Sequence, residues 1–450
     1  MKNDKDSIDY NEGSSPRPSG KALMPLGMFF LLYFLTFVIT GDLSKMPVSV
    51  AFLTASAFAV LSFGGRSIAR RVEIFCHGMA NGTIMLMVVI FILAGAFSAT
   101  ARAMGAVDAT VNMILHLLPA NIVLASLFIT SCFISMSMGT SCGTIAALTP
   151  IAVGISSQTG IELPMLIGII VGGSMFGDNL SFISDTTIVA TRTQNIKMKD
   201  KFKANFRLVL PVAVIVLAIY IVLGYIDSHK MQADTGTIEW LKVIPYLVVL
   251  ITALFGVNVI TVLSIGIVLS GIIGLFVNNG FTVWEWFSAM SSGIVVDMGE
   301  LIIVSLMAGG MFEIVRFSGG ISWLITKLTN NIRSPKKAES AISGLVIFTN
   351  ICTANNTIAL IITGSMAKQI GDRFNLNPKR VASIIDTVSC SVQAFLPYGA
   401  QLLIAAGLAS INPVEVIPYL YYPFALGLIV IISIIFPTRI IHTPFIREPG

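Results

Sequence analysis

Residues 172–190 read GGSMFGDNLSFISDTTIVA and place many polar side chains inside an otherwise apolar part of the chain. The polar residues are two aspartates and several amide and hydroxyl residues: Asp178, Asn179, Ser181, Ser184, Asp185, Thr186 and Thr187. A charged side chain at the centre of a bilayer costs about 2.5–3.5 kcal/mol on insertion scales, so such residues usually face a pathway or a binding site. If the surrounding sequence spans a membrane, this stretch is predicted to be its functional site.

The composition is that of a membrane protein. The 450-residue chain is 55% hydrophobic and 11% charged, whereas soluble domains are about 25% charged. Apolar runs of about 17–25 residues recur along the chain, which is the length needed to cross the hydrocarbon core. The net charge of +5 could indicate nucleic-acid binding. However, the basic residues lie in short loops between apolar runs, which is typical of cytoplasmic loops under the positive-inside rule. Lipid is therefore an expected partner and nucleic acid is not.

The chain repeats itself at an offset of 214 residues. At this offset residues 94–97 (AGAF) align with residues 308–311 (AGGM), and Arg102 aligns with Arg316. Each half is predicted to hold five membrane spans and one hairpin. Because five is odd, the second half should enter the membrane in the opposite orientation to the first.

Loop charges support this inversion independently. The loop before the third span is basic, with Arg66, Arg70 and Arg71, whereas its counterpart at residues 278–300 has no Lys or Arg. Lys197, Lys199, Lys201 and Lys203 form another basic loop, and Arg380 belongs to a further one at residues 368–380. Under the positive-inside rule these basic loops and both termini are cytoplasmic.

These patterns predict an all-α polytopic membrane protein with discontinuous helices. It would consist of two inverted repeats, each with five transmembrane helices and one re-entrant helical hairpin. The predicted organisation is a disordered cytoplasmic tail at residues 1–21, repeat 1 at 22–226, a linker loop at 227–240 and repeat 2 at 241–450. No HExxH, GxSxG or phosphate-loop motif supports an enzyme.

The predicted hairpins join two apolar segments through a polar tip. In the first half, residues 121–138 are followed by GTSCGT at 139–144 and by the short apolar run 145–155. A backbone break inside the membrane is tolerated only where protein or a water-filled cavity satisfies its polar groups. The alternative is one interrupted span, with Gly139 and Gly143 as a helix-packing face. At the repeat offset the second tip falls at residues 349–357. The candidate tip residues are Thr140, Ser141, Thr144, Asn355, Asn356 and Thr357.

Each half also contains a span broken by polar residues. The first is the 172–190 stretch, and the second, residues 381–406, contains Asp386, Thr387, Ser389, Ser391 and Gln393. Inverted repeats with broken helices are the architecture of secondary transporters, which bind substrate and coupling ion where the repeats meet. A channel would not need this duplicated arrangement. Unwound helices offer oxygen ligands for Na⁺, and helix N-termini suit an anionic or carboxylate-bearing substrate.

The aspartates have functional and structural interpretations. Asp178 could bind a proton or Na⁺ in turn, which amounts to antiport by competition for one carboxylate. Structurally, it could cap the helix that resumes after the break. Asp185 could instead make a structural hydrogen bond, and Asp386 could cap the second helix break.

Residues 177–187, GDNLSFISDTT, resemble the GDK-x-SP-x-SDTT signature of the NhaC-type sodium/proton antiporters, a family of the ion transporter superfamily. The similarity covers residues 82–407. The resemblance implies an inner-membrane, sodium-linked exchanger that moves Na⁺ and H⁺ without a cofactor. It also implies an ion-site role for Asp178, Ser181, Asp185, Thr186 and Thr187.

The chain departs from the family pattern in both halves. Asn179 and Phe182 stand where the family usually has Lys and Pro, and Ile385 precedes Asp386 where the family usually has a second acid. The sequence thus predicts a Na⁺/H⁺ antiporter whose ion site includes Asp178, Asn179, Asp185 and Asp386. The alternative is a sodium- or proton-coupled transporter of a small amino acid or a carboxylate of the malate/lactate type, which the polar second half favours. A homodimer is left open.

Overall fold

The chain is helical throughout the part that the structure describes. The computed structural model of the chain describes residues 18–40, 45–63, 67–117, 119–181, 184–227, 239–277, 280–329 and 332–436, and these ranges contain helices and turns but no strand. The all-α prediction is confirmed at this level. Most of the predicted tail at 1–21 and of the predicted linker at 227–240 lies outside the described residues.

The first half of the chain forms ten α-helices within these ranges. They are α1 (Met24–Thr40), α2 (Val48–Ser62), α3 (Ile68–Met79), α4 (Gly82–Ala103), α5 (Ala106–Leu117), α6 (Val123–Met138), α7 (Ser141–Thr159), α8 (Leu163–Leu180), α9 (Asp185–Gln194) and α10 (Met198–Asp227). A 3₁₀ turn precedes α1 at Gly20–Leu23, and another precedes α6 at Ala120–Ile122.

The second half forms a corresponding series of helices. They are α11 (Trp240–Leu254), α12 (Val259–Val277), α13 (Val283–Ser292), α14 (Gly299–Phe317), α15 (Gly320–Thr329), α16 (Pro335–Thr353), α17 (Asn356–Arg373), α18 (Pro378–Gln393), α19 (Ala400–Ala409), α20 (Pro413–Val416) and α21 (Tyr421–Ile435). A π-helical turn, Gly293–Asp297, follows α13, and a 3₁₀ turn, Ile417–Tyr419, follows α20.

Helix boundaries recur at the spacing of the sequence repeat. α5 begins at Ala106 and α15 begins 214 residues later, at Gly320. The first residues of α3 to α9, moved by this offset, fall within three residues of the first residues of α13 to α19. The two halves therefore contain the same succession of helices and breaks.

Glycines allow the helices of the two halves to pack closely and reciprocally. A Cβ atom on Gly78 in α3 would lie 2.4 Å from the carbonyl oxygen of Gly309 in α14. A Cβ atom on Gly293, just after α13, would lie 2.1 Å from the carbonyl oxygen of Gly95 in α4. Thus α3 of the first half packs on α14, and its counterpart α13 packs on α4. Such exchanged contacts are expected when two like units are related by a twofold axis.

Several helices have the length and composition of membrane spans. In the described part of the chain four are long and apolar enough: Ile84–Ala103, Leu163–Gln194, Met198–Ile226 and Val259–Val277. Two bent helix pairs raise the number to six if each pair counts as one span. The protein is therefore a multi-pass helical membrane protein, and the further spans predicted from the sequence correspond to shorter apolar helices such as α2, α6 and α21.

Three elements differ from the sequence interpretation. The basic segment before the third span and its counterpart at residues 278–300 are not simple loops, because they contain α3 and α13. Both helices are stabilised by polar groups rather than by a long apolar run: Arg70 pairs with Glu73 in α3, and Thr282 forms a capping box with Glu285 in α13. The segment after the first tip is also longer than residues 145–155, since α7 runs for 19 residues with Pro150 inside it.

The two predicted hairpin tips adopt the same backbone conformation. The residue after α6 is Gly139, which has a φ of 68°, and the residue after α16 is Ala354, which has a φ of 51°. The next residue caps the following helix in both cases: the Thr140 side chain accepts from the amide of Gly143, and Asn355 accepts from the amide of Ile358. Each tip is thus a left-handed residue followed by an N-cap, which reverses or redirects the chain within two residues.

Ala354 is held in a conformation that suits glycine better. A non-glycine residue in the left-handed region costs about 1–2 kcal/mol. We therefore expect Ala354→Gly to raise the thermal midpoint of the detergent-solubilised protein, by the equivalent of about 1 kcal/mol. Ala359→Gly in the interior of α17 is the matched control and should lower the midpoint, because glycine is unfavourable inside a helix. Equal losses in both variants would contradict the proposed strain.

Candidate functional site

A cavity of about 70 Å³ lies where the two hairpin tips meet the two broken helices. It brings together nine of the residues predicted from the sequence: Thr140, Ser141, Asp178, Asp185, Thr186, Asn355, Asn356, Thr357 and Gln393. Ser184 and Gln401 also line it, and Met87 of α4 contributes an apolar wall. Residues distant in sequence and from both halves therefore share one small space.

Four helices begin at this cavity. Their first residues are Ser141 of α7, Asp185 of α9, Asn356 of α17 and Ala400 of α19, and all four line the cavity. The N-terminus of a helix carries a partial positive charge and unpaired amide donors. Four such ends favour negative charge in the cavity, whether it belongs to a protein carboxylate or to a bound anion.

Asp178 is a buried carboxylate at the wall of the cavity. It is 4% exposed and lies in the last turn of α8, where the helix dipole does not favour negative charge. The Ser184 hydroxyl donates to its Oδ1, and the Ser141 hydroxyl lies 3.4 Å from its Oδ2. Thr186 extends this cluster, because its hydroxyl oxygen is 2.8 Å from that of Ser184. Asp178 precedes the break, so the N-cap position of α9 belongs to Ser184 rather than to Asp178.

Asp185 occupies the other side of the helix break. It is the first residue of α9, its side chain is exposed, and it lines the cavity. Its position in the first turn of a helix is favourable for a carboxylate. No residue in the described ranges forms a hydrogen bond with it, so the alternative of a structural hydrogen bond finds no partner there.

Two glutamines connect Asp178 with the second tip. The Gln401 side chain donates to the Ser141 hydroxyl at 3.1 Å, and Gln393 donates to the Gln401 side-chain oxygen at 2.9 Å. The same Gln393 amide group lies 2.9 Å from the carbonyl oxygen of Ala354. Gln393 was predicted from the sequence, but Gln401, which lies in the first turn of the apolar helix α19, was not.

Asp386 does not share the cavity with Asp178. It is fully buried inside α18, and the second helix break falls later, at residues 394–399, so Asp386 does not cap that break. Its Oδ2 lies 2.8 Å from the Lys201 ammonium and accepts a hydrogen bond of 2.7 Å from Asn205. The predicted ion-binding residues are thus divided between an open cavity and a closed cluster.

Lys201 is buried, contrary to the prediction from the sequence. It was counted in a basic cytoplasmic loop, but its side chain is only 1% exposed, whereas the side chains of Lys197, Lys199 and Lys203 are exposed. α10 begins at Met198, before the apolar run, so Lys201 and Asn205 lie on one face of a helix with the spacing i, i+4. The spacing of these two polar residues was the available signal.

The remaining predicted residues make structural hydrogen bonds outside the cavity. Asn179 donates to the carbonyl oxygen of Met175, and Ser181 donates to that of Met136, both at 2.9 Å. The hydroxyls of Thr144, Thr387 and Ser391 also donate to main-chain oxygens, Ser389 accepts from Asn350, and Thr187 accepts from Lys201. Phe182, one of the departures from the family pattern, lies outside the described residues.

Comparison with known proteins identifies the family. The model of the Na⁺/H⁺ antiporter family matches residues 21–225 and 230–438. The chain belongs to the Na⁺/H⁺ antiporter family. This confirms the family resemblance inferred from residues 177–187, and the match extends over both halves rather than over the signature alone.

The curated relatives from this comparison are all antiporters. The chain is 26% identical to the Na(+)/H(+) antiporter NhaC of Bacillus subtilis, over 86% of this chain and 90% of that protein. It is 23% identical to the malate-2H(+)/Na(+)-lactate antiporter of the same organism, over 91% of this chain and 93% of that protein. It is 24% identical to the arginine/ornithine antiporter ArcD of Halobacterium salinarum, over 92% of each. These relatives thus include proteins named for inorganic ions and proteins named for organic solutes.

Proposed function

We propose that the protein exchanges Na⁺ for H⁺ across a membrane, and that Asp178 is the carboxylate that binds the two ions in turn. The observation that carries this proposal is the position of Asp178 in the cavity between the two tips, where it is the buried acid. A carboxylate that is neutralised either by a proton or by Na⁺, but not by both, couples the two fluxes without any further machinery. Membership of the Na⁺/H⁺ antiporter family supports the same assignment.

The oxygens around Asp178 are suited to Na⁺. Hard cations are bound by carboxylate, hydroxyl and carbonyl oxygens. The hydroxyls of Ser141, Ser184 and Thr186 lie next to the Asp178 carboxylate, and Asp185 supplies a second carboxylate at the same cavity. The volume of about 70 Å³ is far below the roughly 300–1,000 Å³ of pockets for drug-sized ligands. It has room for an ion with a few waters.

We further propose that the two halves, residues 22–226 and 241–450, lie inverted with respect to each other in the inner membrane, with both termini in the cytoplasm. The reciprocal packing of α3 on α14 and of α13 on α4 supports a twofold relation between them. The segment at 66–71 is basic, whereas its counterpart at 278–300 has acidic residues and no Lys or Arg, and this contrast supports the inversion. In such an arrangement alternating access arises from movement of one repeat against the other around a fixed site.

A second candidate function is coupled transport of a small amino acid or carboxylate. The observation that favours it is the convergence of four helix N-termini on the cavity, together with the amides of Asn355 and Asn356, because these groups suit a carboxylate-bearing solute. Two of the relatives are named for such solutes. This function would require the cavity to widen, since an amino acid or a dicarboxylate is larger than a Na⁺ ion that has lost most of its waters.

Reconstitution separates the two functions. With the protein in liposomes that contain a pH-sensitive dye, we expect Na⁺ or Li⁺ alone to change the internal pH, and K⁺ to have little effect. Protein-free liposomes are the control for leakage. If the pH changes only after an amino acid or a dicarboxylate is added, Na⁺/H⁺ exchange is wrong and the second function is correct.

A further inference from the structure

The buried Lys201 ammonium is surrounded by oxygens of three different chemical kinds. It lies 2.8 Å from the Asp386 carboxylate, 2.6 Å from the Thr187 hydroxyl and 2.9 Å from the main-chain oxygen of Asn179. An ammonium has three N–H donors, and each of them has an acceptor here. Carboxylate, hydroxyl and carbonyl oxygens are also the ligands that proteins offer to hard metal cations.

The same cluster contains oxygens that Lys201 does not satisfy. Asn205 joins its two sides, because its amide group donates to the Asn179 main-chain oxygen at 3.0 Å and to Asp386 Oδ2 at 2.7 Å. Asp386 Oδ1, Asn205 Oδ1 and Asn179 Oδ1 are all buried, and none has a hydrogen-bond partner among the described residues. Buried oxygens are nearly always paired. Asp386 Oδ1 belongs to the carboxylate that pairs with the ammonium, and the two amide oxygens belong to residues of the same cluster, so the cluster holds more oxygens than Lys201 uses.

We propose that this cluster is a second site for a monovalent cation, and that the Lys201 side chain fills it as a tethered cation. In the wild-type protein the ammonium neutralises Asp386, so this carboxylate does not exchange Na⁺ and only Asp178 does. Removal of the ammonium opens the site to Na⁺. The inference rests on the proposed function only for the role of Asp178, and the Asp386 cluster can be tested without it.

The alternative is a buried ion pair that only stabilises the fold. Both interpretations predict that loss of Lys201 destabilises the protein, because a buried carboxylate without a partner is costly. They differ in the effect of Na⁺. A cation site recovers stability when Na⁺ replaces the ammonium, whereas a structural pair between two side chains does not respond to the salt.

The test uses Lys201→Met in a chain that also carries Asp178→Asn. Methionine has the length of a lysine side chain without the Nζ atom. The substitution therefore empties the space of the ammonium and keeps the space of the lysine methylene groups filled. Asp178→Asn removes the proposed first site. We expect the thermal midpoint of this double variant to rise with NaCl compared with choline chloride at equal ionic strength, and that of Asp178→Asn alone to remain unchanged. Lys203→Met, an exposed lysine of the same helix, is the matched control and should give no Na⁺-dependent shift in the Asp178→Asn chain.

The site must also depend on Asp386. Adding Asp386→Asn to the double variant should abolish the response of the thermal midpoint to Na⁺. This triple variant should still fold, because the side chains introduced at positions 201 and 386 are both uncharged. A midpoint of the double variant that is the same in NaCl and choline chloride overturns the proposal. If the thermal midpoint of Asp178→Asn alone rises with NaCl, the assignment of Asp178 as the first site is wrong. The additional rise on loss of Lys201 then still decides whether the Asp386 cluster is a second cation site.

Equilibrium binding of radioactive Na⁺ gives a measurement that does not require a folded Lys201 variant. We expect one Na⁺ per chain in the wild-type protein and none after Asp178→Asn. Two Na⁺ per wild-type chain, with the second lost in Asp386→Asn, would show that Na⁺ reaches Asp386 while Lys201 is present, and would overturn the proposal.

Discussion

Replacement of Asp178 by Asn is expected to reduce Na⁺-dependent proton movement in proteoliposomes to the level of protein-free liposomes. Asparagine has nearly the same shape: its oxygen can accept from the Ser184 hydroxyl, and its amide group can donate to the Ser141 hydroxyl. However, it neither binds a proton reversibly at working pH nor neutralises Na⁺. The loss should therefore be one of exchange rather than of folding. The rate of internal pH change after a Na⁺ pulse measures it.

A matched control shows whether the loss of exchange is specific to the carboxylate in the cavity or follows the loss of any aspartate. Asp108→Asn makes the same chemical change at an exposed position in the first turn of α5 and should leave the exchange rate unchanged. The Asp178 variant should also elute as a single species in detergent, with a thermal midpoint no lower than that of the wild type, because a neutral amide is less costly to bury than a carboxylate. Wild-type exchange rates in this variant would exclude Asp178 as the shared carboxylate.

The sequence was informative wherever a polar residue interrupts an apolar run. Asp178, the first tip at Thr140 and Ser141, and the second tip at Asn355 were all predicted, and the structure places them around one cavity. The reason is physical: a polar side chain within a membrane span is costly, so its presence is a local signal that does not depend on knowing its partners. The repeat offset then related one tip to the other.

The sequence was misleading where a functional residue lies beside residues that are polar for another reason. Lys201 stands among exposed lysines at the start of a span, and only its i, i+4 spacing to Asn205 distinguishes it from them. Gln401 lies among apolar and small residues, and its role depends on Gln393 and Ser141, which come from other helices. Such residues are defined by tertiary contacts, and one sequence does not record these contacts.

Arg380 is a second basic residue that the sequence assigned to a cytoplasmic loop and the structure buries. It is 3% exposed, and its guanidinium lies 3.1–3.2 Å from the two carboxylate oxygens of Glu339, which is 1% exposed. The same guanidinium donates to the Ser433 hydroxyl at 2.8 Å. This arrangement joins α16, α18 and α21, and α18 also carries Asp386.

We expect Arg380→Met to be among the most destabilising single substitutions in the chain. Removing one member of a buried ion pair leaves the other charge without compensation, which typically costs about 3–5 kcal/mol. The midpoint of unfolding by SDS, compared with that of the wild type, measures the loss. Arg373→Met removes an exposed arginine from the preceding helix and should change the stability by no more than about 0.5 kcal/mol.

A second substitution can show why removal of Arg380 lowers the stability. If the cost arises from the stranded Glu339 carboxylate, adding Glu339→Gln to Arg380→Met should recover most of the stability, because a neutral amide is far less costly to bury than an unpaired charge. A double variant as unstable as Arg380→Met alone would instead attribute the loss to packing and to the hydrogen bond with Ser433. The two results also predict different effects on transport. Only loss of packing around α18 would displace Gln393, which lines the cavity, and so change the exchange rate in the double variant.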